Sequence, residues 1–126
     1  MLSLSLIVYS FSGGAHGITV IKSLSFDVMS GKKYEIGDLF RRNSNYIMRL
    51  SDIIKEQIAQ RKIPLLNPFI SIVPDQDFYI ADKCLVVYFQ LYELTAYVYG
   101  FTYFPNSVYE IQNIIDENGP LGKMLY

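Results

Sequence analysis

The run Cys84-Leu85-Val86-Val87-Tyr88-Phe89-Gln90-Leu91-Tyr92 constrains the fold more than any other segment. Leu85, Val87, Phe89 and Leu91 alternate with Val86, Tyr88 and Tyr92, so an extended chain here is apolar on both sides. A strand of that kind belongs in the middle of a sheet, with a helix on one face and another cover on the other. The helix lies upstream, over about residues 44–62. Asn43 or Ser44 is placed to cap it, and Ile47, Leu50, Ile54 and Ile58, flanked by Ile53, form one stripe for packing on a sheet. Pro64 ends it. The predicted class is α+β: an antiparallel sheet against one main amphipathic helix, with a short C-terminal helix.

The remaining elements fit around that pair. Leu2 to Ser12 alternates like a strand and ends at Gly13-Gly14-Ala15-His16-Gly17, where three glycines in five residues mark a tight or bulged connection. Thr19 to Val28 is a second strand, with Val20, Leu24, Phe26 and Val28 on one face. A turn at Ser30-Gly31-Lys32 leads to a short strand from Lys33 to Ile36. Gly37 to Phe40 forms a helical turn or loop that anchors Leu39 and Phe40 in the core. Phe78 to Ile80 pairs with the Cys84–Tyr92 arm. The chain is extended from Gly100 to Phe104 and breaks at Pro105, and Ser107 caps a short helix from Val108 to Ile115. Residues 1–115 read as one domain and 116–126 as a loosely held tail.

Composition narrows the function. The apolar content of 51% and aromatic content of 15% exclude disorder. A net charge of −1 argues against a nucleic-acid footprint. The charge is uneven: residues 41–62 hold six basic and two acidic residues, and from Asp75 onwards there are seven acidic and two basic. That asymmetry reads as a solvated helix face beside an acidic surface rather than as a steering field. No run approaches the length of a membrane span. Leu2 to Phe11 lacks the basic start and the cleavage site of a signal peptide, so a targeting element for export would lie outside these residues.

No segment assembles a catalytic set. The glycine cluster is neither a dinucleotide fingerprint nor a P-loop and precedes a strand, so it reads as a turn. His16 is the one imidazole in the chain, and a zinc site needs more ligands. Cys84 lies in an apolar run and reads as a small buried hydrophobe. Asp75, Asp77 and Glu93 are the best carboxylates. They flank a hairpin whose ends are expected to diverge by the length of its arms, which favours turn and capping roles. Neither a metal nor a cofactor is expected. Tyr88, Tyr92, Tyr97, Tyr99 and Tyr103 cluster around one strand and the loop after it, and tyrosine is enriched in contact surfaces.

Four ordered blocks, Gly13 to Gly17, Leu39-Phe40, Pro74 to Tyr79 and Val87 to Glu93, resemble the C-terminal domain family shared by the anti-sigma factor RsiV and the peptidoglycan deacetylase PdaC. The likeness extends to about Glu110. It implies an extracytoplasmic, non-catalytic α+β domain. In one member the ectodomain recognises lysozyme, and in another the catalytic domain is a separate module. Two departures lie in loops: the family often has proline where this chain has Ala96, and often glycine near Lys83. Relatives also carry a region ahead of the first strand, which implies a fragment or truncated member here, with a sheet edge left open for dimerisation.

The expectation is therefore a binding or sensing domain for a protein or cell-wall glycan, with no nucleic-acid partner and no membrane insertion. Its candidate contact residues are Gly13, Gly14, His16, Tyr88, Tyr92, Glu93, Tyr97, Tyr99 and Tyr103. The alternatives are a glycan-acting enzyme using Asp75, Asp77 or Glu93, and a structural dimerisation module.

Overall fold

The computed structural model describes residues 2–13, 16–27, 29–96 and 99–125, with side chains described from residue 20 onward. The expected central strand is β4 (Cys84–Phe89), which lies between β3 (Phe78–Ala81) and β5 (Thr102–Ser107) in an antiparallel sheet. All of β4 from Leu85 to Phe89 is buried. One face meets α1 (Tyr46–Arg61), which buries Leu50, Ile53 and Ile54 and leaves Ile47 and Ile58 partly buried, as the stripe predicts. Leu85, Val87, Phe89 and Phe104 complete that core with Ile36, Leu39 and Phe40.

The helix cap falls one residue after Ser44 and two after Asn43, the two predicted positions. Asn45 occupies the cap position without a side-chain bond, Asn43 has φ 64°, and Ser44 Oγ is buried without a partner. Stacking of Tyr46 on Phe40, at 5.2 Å and 6° between planes, sets the helix start instead. Lys62, at φ 53°, closes the other end, and its N–H reaches the Ala59 and Ile58 carbonyls ahead of Pro64.

β1 (Leu2–Gly13) and β2 (His16–Asp27) form a separate two-stranded antiparallel ribbon. Gly13 pairs with His16, so only residues 14–15 connect the arms, and these lie outside the described residues, as does Val28. The face of β2 that is buried is not the one its apolar spacing indicates. Ile21 and Ser25 are buried, while Leu24 is 39% exposed. β2 docks by its backbone edge and by Ser23 rather than by a hydrophobic face, so the apolar count does not decide its orientation. The predicted strand at Lys33–Ile36 reduces to a single bridge between Phe26 and Lys33. A 3-10 turn over Ile36–Leu39 takes over, with Asp38 Oδ2 accepting Glu35 N–H at 2.8 Å. Leu39 and Phe40 are buried as expected.

The sheet departs from the sequence reading at both of its C-terminal ends. β4 stops at Phe89 because Gln90 and Glu93 close a turn, with Tyr92 at φ 70°. β5 runs through Pro105, which pairs with Val86. Proline is tolerated there because β5 is the edge strand and the missing N–H points outward. The β3–β4 turn places Lys83 at φ 59°, in the left-handed region that favours glycine.

Residues 108–115 form turns instead of the predicted helix. Ser107 Oγ does accept Tyr109 N–H at 3.3 Å, but the Glu110 and Ile115 carbonyls go to Arg49 and Arg41. A 3-10 turn over Gly122–Leu125 lies instead within the segment read as a tail. The tail read as loosely held is docked: Leu121 is fully buried, Lys83 Nζ donates to the Met124 carbonyl, and Arg41 pairs with Glu117 at 3.3 Å. A Cβ at Gly122 would come within 2.3 Å of the Glu117 carbonyl oxygen, so the tail passes close to its own backbone.

Candidate functional site: a polar cleft between the ribbon and the sheet

Antiparallel pairing decides where the carboxylates meet. Phe78 pairs with Val87, so the residues before β3 and those after β4 emerge at the same open end of the hairpin. The expected divergence of Asp75 and Asp77 from Glu93 is therefore wrong: antiparallel pairing holds the two free ends of a hairpin side by side, at the end opposite the turn. Gln90 joins them. Its Nε2 donates to Asp77 Oδ2 at 2.9 Å, and its own N–H donates to Glu93 Oε1 at 2.6 Å.

Gln90 also fastens the ribbon. Its Nε2 donates to the Ile21 carbonyl at 2.7 Å, and its Oε1 accepts Ile21 N–H at 3.0 Å. Tyr88 is fully buried beside it, sharing a hydrogen bond of 2.9 Å between its hydroxyl and Ser23 Oγ. Burial raises the Tyr88 phenol above its ordinary pKa, against the bond from Ser23 that lowers it. Buried Gln76 donates from Nε2 to the Tyr88 carbonyl at 2.9 Å and so holds the Asp75-Gln76-Asp77 segment on the sheet. These bonds satisfy backbone groups that would otherwise be buried without partners.

The result is a cleft of about 610 Å³ between β2, the Lys33–Glu35 segment and the base of the hairpin. Lys22, Ser23, Lys33, Tyr34, Glu35, Asp75, Asp77 and Gln90 line it. Lys33 Nζ sits 3.5 Å from Glu35, and Lys32 lies over the Tyr34 ring at 5.6 Å from its centroid. The walls offer amide, hydroxyl, cationic and anionic groups beside an aromatic ring. Val20, Ile21, Leu24 and Phe78 line it as well, so the cleft suits a ligand with both apolar and hydrogen-bonding faces. Among the described residues, no group of three or more His, Cys, Asp or Glu side chains converges as a metal site. Burial raises the pKa of the Cys84 thiol, which disfavours the reactive thiolate.

A family model described as "Protein of unknown function (DUF3298)" matches residues 37–105, more than half of the chain. The chain belongs to the DUF3298 family. Its similarity to the peptidoglycan-N-acetylmuramic acid deacetylase PdaC of Bacillus subtilis strain 168 is 26% identity over 95 residues, covering 70% of this chain. The chain spans only about a fifth of PdaC. Two solved DUF3298 proteins share the fold. The Bacteroides fragilis NCTC 9343 protein matches 98% of this chain and 52% of its own, with TM-score 0.78 and 21% identity. The Pseudomonas aeruginosa PAO1 protein matches 91% and 56%, with TM-score 0.71 and 14% identity. The chain thus spans about half the length of either solved relative. The DUF3298 match contains the hairpin wall of the cleft and leaves out the ribbon wall.

The structure separates the predicted contact residues of this DUF3298 domain. Tyr88 is a structural residue without exposed surface. Its ring lies 6.2 Å from Tyr103 and 6.0 Å from Tyr79, and Tyr103, at the open side of that trio, is 37% exposed. Tyr92 and Tyr99 are exposed in the loop after β4, and Tyr97 lies outside the described residues. Glu93 is engaged by Gln90. Gly13 and His16 end the ribbon about 17 Å along the strand from docked Ile21, at roughly 3.4 Å per residue, and Gly14 is outside the described residues. The tyrosines and the glycine tip therefore do not form one site. Sequence reasoning missed Gln90, Ser23, Lys22, Lys33, Tyr34 and Glu35. One signal was available: Gln90 is a polar residue inside an apolar run.

The basic segment also finds its role. Arg41 Nε donates to the Ile115 carbonyl at 3.0 Å and Arg49 to the Glu110 carbonyl at 3.1 Å. Arg61 donates to the Tyr103 carbonyl at 2.8 Å and lies over the Phe104 ring at 5.1 Å. These cations hold the C-terminal third of the chain. Among the described residues, no helix is long and apolar enough to cross a membrane.

Proposed function

We propose that this DUF3298 domain is a non-catalytic, extracytoplasmic binding or sensing module of a bacterial envelope protein. In this reading it resembles the RsiV ectodomain in role, and its partner is a lysozyme-like protein or a cell-wall glycan. The single observation that carries the proposal is the cleft of about 610 Å³, whose hydrogen-bonding groups are held in place by Gln76, Tyr88 and Gln90 rather than by loops alone. Preorganised hydrogen-bonding walls favour recognition, because little ordering remains to be done on binding. Kinship with a protein named as a peptidoglycan deacetylase supports a cell-wall setting.

Titration calorimetry against soluble peptidoglycan fragments and against lysozyme tests the proposal. Binding of one of them is expected, weakened at least about tenfold by Asp75→Ala or Tyr34→Ala, a loss of about 1.4 kcal/mol. Asp75 is exposed, whereas Tyr34 is partly buried against the core, so the fold of Tyr34→Ala is checked by its far-UV spectrum alongside the titration. Absence of binding to both ligands by the folded protein would defeat it, as would binding that both variants leave unchanged.

A second reading rests on the shared location of the carboxylates. Asp75 and Asp77 line the cleft, and Gln90 links Asp77 to Glu93. A glycan-acting enzyme would show turnover on peptidoglycan or chito-oligosaccharide that disappears in Asp77→Asn or Glu93→Gln. Turnover equal to wild type in both variants removes these residues from any catalytic role.

A further inference from the structure

The charges that line the cleft are sorted by wall. Lys22 of β2 and Lys33 stand on one side, and Asp75 and Asp77, at the base of the hairpin, stand on the other. Lys33 pairs with Glu35 at 3.5 Å, and Asp77 accepts the Gln90 amide at 2.9 Å. Lys22 and Asp75 are exposed, and among the described residues neither side chain has an ion-pair or hydrogen-bond partner. Across the cleft, no nitrogen of Lys22 or Lys33 comes within 4.0 Å of an Asp75 or Asp77 oxygen. Val20, Leu24 and Phe78 add apolar surface to the same lining.

We propose that the cleft takes a short peptide bearing one ammonium group and one carboxylate. The ammonium meets Asp75 and Asp77, and the carboxylate meets Lys22 and Lys33. The inference rests on the reading of the cleft as the binding site, and it names the part of a cell-wall fragment that enters it.

The sorting of charge selects this occupant. An anion satisfies the lysine wall and is repelled by the aspartates, and a cation meets the reverse. A neutral glycan forms hydrogen bonds but offers no counter-charge to either wall. A peptide charged at both ends satisfies both walls at once, and its side chains find the apolar surface of Val20, Leu24 and Phe78. Glu35 already offsets Lys33, and Gln90 already bonds Asp77, so Lys22 and Asp75 carry most of the contrast. The volume of about 610 Å³ is that of a site for a drug-sized ligand, which sets the length at a few residues.

NMR titration of the full chain with tri-alanine, whose only charges are its two ends, tests the proposal. Binding is expected, with amide shifts centred on residues 20–24 and 75–78. N-acetyl-tri-alanine and tri-alanine amide each lack one charge and are expected to bind about fivefold more weakly, the upper range for an exposed ion pair. Asp75→Asn should weaken tri-alanine by the same factor yet leave N-acetyl-tri-alanine unchanged. Lys22→Gln should weaken tri-alanine yet leave the amide unchanged. Loss of the fold weakens every ligand alike, so it cannot produce this crossed pattern. Equal affinity for tri-alanine and its capped forms overturns the proposal, as does a variant that weakens capped and uncapped peptides alike. Binding of lysozyme or of a chito-oligosaccharide without binding of tri-alanine overturns it too, and leaves the reading of the cleft standing. Binding of none of these ligands, nor of peptidoglycan fragments, defeats both.

Discussion

The edge of β5 and the edge of β1 present the same backbone chemistry and differ in what the described residues place against them. On β5 the outward carbonyls of Tyr103 and Pro105 are taken by Arg61 and Gln57 of α1, at 2.8 and 2.7 Å. Proline at 105 removes one outward donor, and turn bonds from Glu110 and Ile111 occupy the Ser107 carbonyl. On β1 neither proline nor charge interrupts the strand from Leu2 to Gly13. The difference teaches that edge protection here is supplied by side chains from a neighbouring element. It is present where α1 crosses the sheet, and no described element crosses the ribbon in the same way.

The comparison can be broken most forcefully at the seat of the β5 clip. Phe104 is fully buried, contacts Phe89 edge-on at 5.7 Å and lies under Arg61. Phe104→Ala is expected to destabilise the domain by about 3–5 kcal/mol in urea unfolding. A loss below about 1 kcal/mol would mean that the core does not anchor this edge.

Gln90→Ala is expected to have the next largest effect, about 1–3 kcal/mol, because it removes the partner of Ile21 N–H and leaves the Ile21 carbonyl only the longer bond from the Tyr88 hydroxyl at 3.4 Å. The loss should be local. Hydrogen exchange at residues 20–25 should quicken, while β4 amides keep their protection. Equal loss in both regions would show that ribbon and sheet unfold as one unit.

Tyr88→Phe removes the bond to Ser23 and is expected to cost about 1 kcal/mol near neutral pH. It also sharpens the comparison through pH. The folded Tyr88 pKa is raised, first by burial, so the fold favours the neutral phenol. Its contribution is complete below the ordinary tyrosine value of about 10 and is lost as pH rises through the higher folded value. The wild type should therefore lose stability above about pH 10 more steeply than Tyr88→Phe. Parallel alkaline curves for the two proteins would contradict that assignment.

Gln57→Ala should have the smallest effect, at most about 1 kcal/mol, since water can replace the amide at an exposed carbonyl. Its more useful readout is association. If helix side chains close the β5 edge, Gln57→Ala combined with Arg61→Ala should raise the tendency to aggregate in light scattering, and unchanged scattering would remove that role.

Much of the scaffold was legible in local pattern. The doubly apolar run around Val87 announced a central strand, the stripe from Ile47 to Ile58 announced the helix that covers it, and Leu39-Phe40 announced the anchor. Legibility failed where polar groups competed for the backbone. Residues 108–115 have helical spacing, yet Arg41 and Arg49 bond their carbonyls and Phe40 bridges Ile115. The apolar spacing of β2 pointed to the wrong face because Tyr88 and Gln90 dock that strand through its edge. Of the candidate site, Asp75 and Asp77 were visible as carboxylates, but their meeting with Glu93 through Gln90 was not. Tyr88 was visible as an aromatic, but not as a buried one.

By itself the sequence determined the central strand, the main helix and the residues that join them in the core, because hydrophobic periodicity is a local property of the chain. Only the tertiary structure decided the cleft, the arginine clips and the docking of the tail. These depend on directional bonds between residues as far apart as Ile21 and Gln90, 69 positions along the chain. A hydrogen bond requires donor and acceptor to arrive within about 3 Å and in line, and that geometry exists only after the elements have packed.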